Sequence, residues 1–220
     1  MKTSTILFAS ICAITLGVQI LNAWGFKVAY QRETSTKQKS LLPLPSGHIR
    51  AIMADSIQFE VYADSSKRGV YLLDRSDNLN AVIDFKMHGD TLWVKPKVAY
   101  TPKFIIYIPV VETIMCRFSE IKYRSPKQNT LTAISQNDGD VRVVGGQYNE
   151  LNVVASGDGM IGIENSIKIN TLNLNLTGET TFSSYDSDCS IARLGKITAS
   201  DKATIVLTFN GKTISKLTKN

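Results

Sequence analysis

The 220-residue chain is poor in the residues that most often carry chemistry. Two histidines and three cysteines leave little from which to build a zinc centre. His48 falls in a polar stretch and His88 in a turn, neither beside a serine or cysteine in a nucleophile motif. There is no phosphate-binding loop, dinucleotide fingerprint or zinc-ligand spacing. Basic residues outnumber acidic ones by 25 to 19, a net charge of +6. They are scattered (Lys67, Lys95, Lys122, Arg124, Lys212) with no run interleaved with aromatics, so the excess reads as solvated surface and not as a nucleic-acid site. No catalytic or cofactor-binding residue is assigned on this basis, and no enzymatic activity is expected.

Long hydrophobic runs are also scarce, with one exception. Thr5 to Trp24 carries no charge and is preceded by Lys2. As a helix rising 1.5 Å per residue it is long enough to span a bilayer. Residues 1–26 therefore read as a signal anchor or a signal peptide. The run exceeds a usual signal core, and Trp24-Gly25-Phe26-Lys27 resembles an interfacial aromatic followed by a cationic stop, which favours a retained anchor. A cleaved signal would use the small residues Ala23 and Gly25. Cys12 follows Ile11 in mid-span, an unsuitable setting for a lipidated cysteine. Lys27, Arg32, Lys37 and Lys39 follow the span, and the positive-inside rule taken alone would keep the next domain in the cytoplasm. Residues 27–48, with Ser35-Thr36-Lys37-Gln38-Lys39-Ser40 and Pro43-Leu44-Pro45-Ser46-Gly47, read as a polar linker.

From Ile49 onward a 3.6-residue period is nearly absent, and strand patterns take its place. Ile57-Gln58-Phe59-Glu60-Val61-Tyr62 alternates. Val82–Met87 and Thr91–Val94 flank His88-Gly89-Asp90 as an antiparallel hairpin, and Phe104–Ile108 is apolar enough to be buried. The second half repeats. Leu131, Leu151, Leu172 and Leu194 are spaced by 20, 21 and 22 residues. Ten positions after them stand Val141, Ile161, Phe182 and Thr204, and twelve after stand Val143, Ile163, Ser184 and Val206. A period near 20 with strand character predicts an all-β fold, a single-stranded β-solenoid resembling a right-handed β-helix, in which like positions stack on successive turns. Residues 49–220 form this domain: N-terminal strands over 49–109, repeat turns over 110–209, and a C-terminal cap over 210–220. An antiparallel capping set is expected because a solenoid must cover its open edges. The strands over 49–109 supply one cap. Ile205–Phe209, turning through Asn210-Gly211 into Lys212-Thr213-Ile214, supplies the other.

An acid follows each repeat leucine by seven residues: Asp138, Asp158, Glu179 and Asp201. Stacked carboxylates are the chemistry calcium selects. Asp138-Gly139 and Asp158-Gly159 are equally ordinary turn pairs, and two unit charges about 4.8 Å apart in water repel by only about 0.9 kcal/mol. The full calcium-binding nonapeptide of some solenoids is missing, so the ladder reads as turn structure and no metal is assigned. Cys116 and Cys189 occupy different offsets in the repeat and are expected apart, as buried thiols.

The order of an N-terminal span, Ser56-Ile57-Gln58-Phe59-Glu60-Val61, Gly89-Asp90-Thr91-Leu92-Trp93-Val94, Tyr107-Ile108-Pro109 and Ser156-Gly157-Asp158-Gly159 resembles the auto-transporter adhesin, head GIN domain family of bacterial envelope proteins. The resemblance covers roughly residues 49–209. It implies an exported β-solenoid of Bacteroidetes-type bacteria, without established catalytic residues. Arg117-Phe118-Ser119-Glu120 and Thr177-Gly178-Glu179-Thr180 depart from the family's glycine-rich turns, so distortion is expected there. Asp55-Ser56-Ile57 and Asp90-Thr91-Leu92 match the short O-glycosylation acceptor pattern of such bacteria. The resulting expectation is a non-enzymatic envelope protein. It is held to the membrane by its N-terminal helix, lies outside the cytoplasm, and presents the solenoid to a glycan or protein partner for adhesion or scaffolding. The competing readings are a polysaccharide-active β-helix enzyme and a cytoplasm-facing solenoid that polymerises through its ends.

Overall fold

A computed structural model describes residues 42–73, 82–99, 103–184, 188–209 and 212–215. The apolar segment Thr5–Trp24 and the Asn210-Gly211 turn lie outside the described residues. Among those residues no helix is long and apolar enough to cross a membrane.

The strands run in chain order β1 (Ala51–Asp55), β2 (Gln58–Ala63), β3 (Gly69–Leu72), β4 (Ile83–His88), β5 (Thr91–Pro96), β6 (Phe104–Ile108), β7 (Thr113–Arg117), β8 (Glu120–Arg124), β9 (Lys127–Gln136), β10 (Asp140–Val144), β11 (Gln147–Gly157), β12 (Met160–Glu164), β13 (Lys168–Gly178), β14 (Thr181–Ser184), β15 (Ser190–Ala199), β16 (Thr204–Phe209) and β17 (Lys212–Ser215). From β5 to β16 successive strands alternate between two sheets, while the pairs β2–β3, β4–β5 and β16–β17 each stay within one. The eight-stranded sheet has the order β15-β13-β11-β9-β7-β1-β5-β4, and the nine-stranded sheet β17-β16-β14-β12-β10-β8-β2-β6-β3. Each turn of the coil thus lays one strand in each sheet, and neighbouring turns pair in parallel: an all-β solenoid.

Period-two alternation drives this arrangement, because every second side chain of each strand must leave water. Ile52, Ile114, Ala133, Val153 and Leu174 form one inward column, each paired in register with the next. Phe59, Ile121, Val141, Ile161, Phe182 and Ile205 form the opposing one. All are buried. Each fully buried aliphatic side chain contributes about 1.5–3 kcal/mol.

Three differences from the sequence reading have physical causes. First, the strands over 49–109 do not simply cap the coil. β1 lies between β5 and β7, and β2 between β6 and β8, so the first strands laid down become an interior turn. The antiparallel cover at that end is β4 on β5 and β3 on β6. At the far end β17 pairs antiparallel with β16, as expected for the C-terminal hairpin. Second, the last residues of the stretch read as linker are held on the coil. Leu42 exchanges backbone hydrogen bonds of 2.9 and 2.8 Å with Val70, Leu44 is buried, and Arg68 donates to the Pro45 and Gly47 carbonyls. Third, β15 carries a bulge. Leu194 pairs with Leu172, but Ile197 pairs with Leu174. The extra residue shifts the last turn, so Ile205 stacks on Phe182 where the spacing had placed Thr204. Ile205 and Leu207 are buried, while Leu194 is 40% exposed.

The corners explain the glycines. Ser56, Phe118, Asn137, Gly157 and Gly178 form a left-handed column where the chain passes from one sheet to the other. The Arg117–Glu120 turn, lacking glycine, puts Phe118 itself at φ 50 with its ring exposed. Gly139 and Gly159 are required for space and not for φ. A Cβ on Gly139 would stand 2.7 Å from Cys116 Sγ, and one on Gly159 would stand 2.5 Å from Ser135 Oγ.

Candidate interaction surfaces

The acids of the repeat sit at the corner that follows the long strands, and the structure divides them. Gly157 pairs with Gly178, which brings Asp158 level with Glu179. The β15 bulge then moves Asp201 off the ladder. The residue reaching Glu179 is Lys202, whose Nζ lies 2.7 Å from Oε1. Among the described residues no group of three or more His, Cys, Asp or Glu side chains is placed to hold a metal ion. The sequence spacing missed the lysine because an extra residue at the bulge cannot be seen in a count.

The densest charge cluster lies on the outer face of the nine-stranded sheet and had no signal in the repeat. Glu60 pairs with Lys122, Lys122 with Arg142, and Glu120 with Asp140 across neighbouring strands. Arg142 is the hub. Its guanidinium lies 2.9 Å from Asp140, 3.6 Å from Glu120 and 3.5 Å from Glu164. The hydrogen bond to Asp140 is the main cause that holds its pKa above the ordinary arginine value, against the opposing cost of burial. Lys122 reaches Glu120 at 3.6 Å, Arg124 reaches Glu60 at 3.5 Å, and Gln58 donates to Glu120. Beyond Arg124 the network continues as a stack. The Arg124 Cζ lies 5.5 Å from the Tyr62 ring, Tyr62 and Tyr107 have centroids 5.5 Å apart, and Lys67 Nζ lies 5.2 Å from Tyr107. Each aromatic face is thereby covered by a cation or another ring.

A second ionic group joins three strands of the other sheet. Asp55 receives Arg117 at 2.8 Å and Lys95 at 3.0 Å. The Arg117 hydrogen bond is the largest cause that lowers the Asp55 carboxyl below the usual carboxylate range. This aspartate opens the first acceptor-like triplet. Ser56 is exposed, with its hydroxyl bonded to Asp55 Oδ1. In the second triplet Asp90 is exposed beside Gly89, and its Oδ2 lies 4.0 Å from Arg50.

Amide ladders line the long strands. Asn149 donates to Asn129 at 2.6 Å, and Asn170 to Asn149 at 3.0 Å. Asn173 donates to both Glu150 and Asn152 at 2.8 Å. An open trough of about 460 Å³ runs over Asn152, Val154, Asn173, Asn175, Lys196 and Thr198.

Cys116 and Cys189 are buried and form no disulfide. Burial pushes the Cys116 thiol up to about 12, a poor state for a nucleophile. His88 stands edge-on to Trp93, with centroids 5.2 Å apart, and belongs to no nucleophilic group.

No protein-family model matches the chain, and no curated protein matches it. Several solved structures show likeness. A protein from Parabacteroides distasonis ATCC 8503, provisionally named lipid-binding, is 12% identical with a TM-score of 0.48, over 77% of this chain and 93% of that chain. A provisionally named adhesin from Bacteroides fragilis NCTC 9343 is 13% identical with a TM-score of 0.41, over 78% and 98% respectively. At these scores the likenesses carry no weight for role, and the solenoid rests on its own strand register.

Proposed function

We propose that the chain is a non-enzymatic protein of the bacterial cell envelope, tethered by its N-terminal apolar segment, whose β-solenoid serves as a surface for adhesion or scaffolding. The supporting observation is the fate of the charged side chains. Glycan-cleaving sites need two carboxylates facing each other across a groove, one of them held protonated. Here Glu60, Glu120, Asp140 and Glu164 lie on one outer sheet face, and each meets a cation within 3.6 Å. Such mutual neutralisation gives a stiff, ridged surface repeating at about 4.8 Å, suited to broad contact.

Fractionation followed by N-terminal sequencing tests the tether. The protein is expected in the membrane fraction with Lys2 to Asn22 retained. Recovery as a soluble cytoplasmic protein would overturn the proposal, and a mature chain starting at Trp24 or Phe26 would replace the anchor by a cleaved signal.

A further inference from the structure

The outer face of the eight-stranded sheet carries an apolar stripe where polar residues are the rule for a solvated sheet. Strand register places the exposed Lys86 of the edge strand β4, then Trp93, Met53, Met115, Ile134, Val154, Asn175 and Thr198 in one line, each paired with the next. Met53 is 9% exposed and the other four apolar members are half-buried. The line tapers from Trp93 and two methionines at one end to Asn175 and Thr198 at the other, where the open trough lies. On one flank stand the uncharged Thr91, Ala51, Thr113, Thr132, Asn152 and Asn173, and this flank ends at Lys196 beside Asn173. On the other stand Asp55, Arg117, Gln136, Ser156 and Thr177, with Lys95 beside Asp55.

We propose that this face is the interface of a homodimer, two copies packed sheet on sheet about a two-fold axis that runs parallel to the strands through Ile134. The axis reverses the stack of one copy against the other. Ile134 then faces Ile134 of the second copy, Met115 faces Val154, Met53 faces Asn175 and Trp93 faces Thr198. Bulky side chains fall on the trough and small ones on the bulk. The charges also fit. Asp55 and Arg117 come opposite Thr177 and Ser156, so no like charges meet, and Asp55 is already neutralised within its own copy.

The area suffices for a stable pair. Seven turns at about 4.8 Å and three columns spanning about 20 Å give roughly 650 Å² per copy and about 1,300 Å² in total, within the range of specific dimers. Other occupants fit less well. A glycan would seek an open aromatic face, but Lys95 Nζ stands 5.0 Å over Trp93 and His88 lies against the same ring. An acyl chain would seek an enclosed cavity, whereas this face is an open sheet.

The test uses the full chain in detergent, carrying Cys12→Ser so that the only other thiols are the buried Cys116 and Cys189. The axis brings residue 134 against itself across packed sheets about 10 Å apart, too far for a direct disulfide but within reach of a short bis-maleimide, so Ile134→Cys is expected to give a cross-linked dimer with that reagent. Lys122→Cys, on the opposite sheet, should not. Sedimentation of the chain with its native Ile134 should give twice the monomer mass, and Ile134→Arg or Thr132→Arg should halve it while the strand signal in circular dichroism stays the same, with a melting temperature no longer dependent on protein concentration. A native-face chain that sediments as a monomer at micromolar concentration, with or without bound lipid or glycan, would overturn the proposal. So would cross-linking at position 134 no faster than at position 122.

Discussion

The Glu179 carboxylate meets the Lys202 ammonium at 2.7 Å, in the place where the repeat spacing would have stacked Asp201. One extra residue in β15 makes this exchange, and it turns the end of an acid ladder into an ion pair. Both side chains are well exposed, so the pair adds little to stability. Its consequence is for ligand chemistry, since a cation already occupies the position where a calcium ion would need another oxygen.

The melting temperature is therefore predicted to be unchanged by millimolar calcium. A ligand binding only the folded form at 100 times its dissociation constant would add about 2.7 kcal/mol, enough to see in a thermal scan. A rise of several degrees that disappears in Asp138→Asn/Asp158→Asn would show a calcium site at this corner.

Ile161 is fully buried between Val141 and Phe182 in the column facing the core. Ile161→Ala is predicted to cost about 2–5 kcal/mol in chemical denaturation, by loss of apolar burial and the cavity left behind. Ile161→Asp would bury an unpaired carboxylate and should prevent folding. An Ile161→Asp protein that stays soluble and melts like the parent would refute the register.

Asp55 gives a signed dependence on pH. Its folded-state pKa is lowered, chiefly by the Arg117 hydrogen bond, while the unfolded value is near 3.9. A depressed carboxylate contributes stability that is fully present above its unfolded pKa and is lost as pH falls through the folded value. Asp55→Asn should therefore melt below the parent at pH 7, with the gap closing at acid pH, below the ordinary aspartate range. A gap that does not change between these limits would mean that the ion pairs with Arg117 and Lys95 do not couple to folding.

The repeat half was legible because Leu131, Leu151 and Leu172 recur at nearly constant spacing and stack in register. Its inner columns follow from alternation alone, and so do the hairpin across His88-Gly89-Asp90 and the C-terminal one. The first strands were harder to place because their partners are distant in the chain. Ala51 pairs with Thr91 on one side and Thr113 on the other, two and three repeat lengths along the chain and not one. For the same reason the charge cluster around Arg142 and the stripe from Trp93 to Val154 were hidden. Both join side chains from the irregular half to those of the repeat, and only the strand order brings them together. The Asp-Gly pairs were visible, but the reason for Gly139 and Gly159 was not. It lies in Cys116 and Ser135, which approach too closely for any side chain.

Protease shaving of intact cells tests most directly the claim that the solenoid is displayed outside the cytoplasm on a membrane tether. Added protease is predicted to release residues 42–220 as a resistant fragment by cutting in the polar stretch before Leu42, while a cytoplasmic marker survives. A chain that stays whole in intact cells, and is cut only after the inner membrane is opened, would contradict the account.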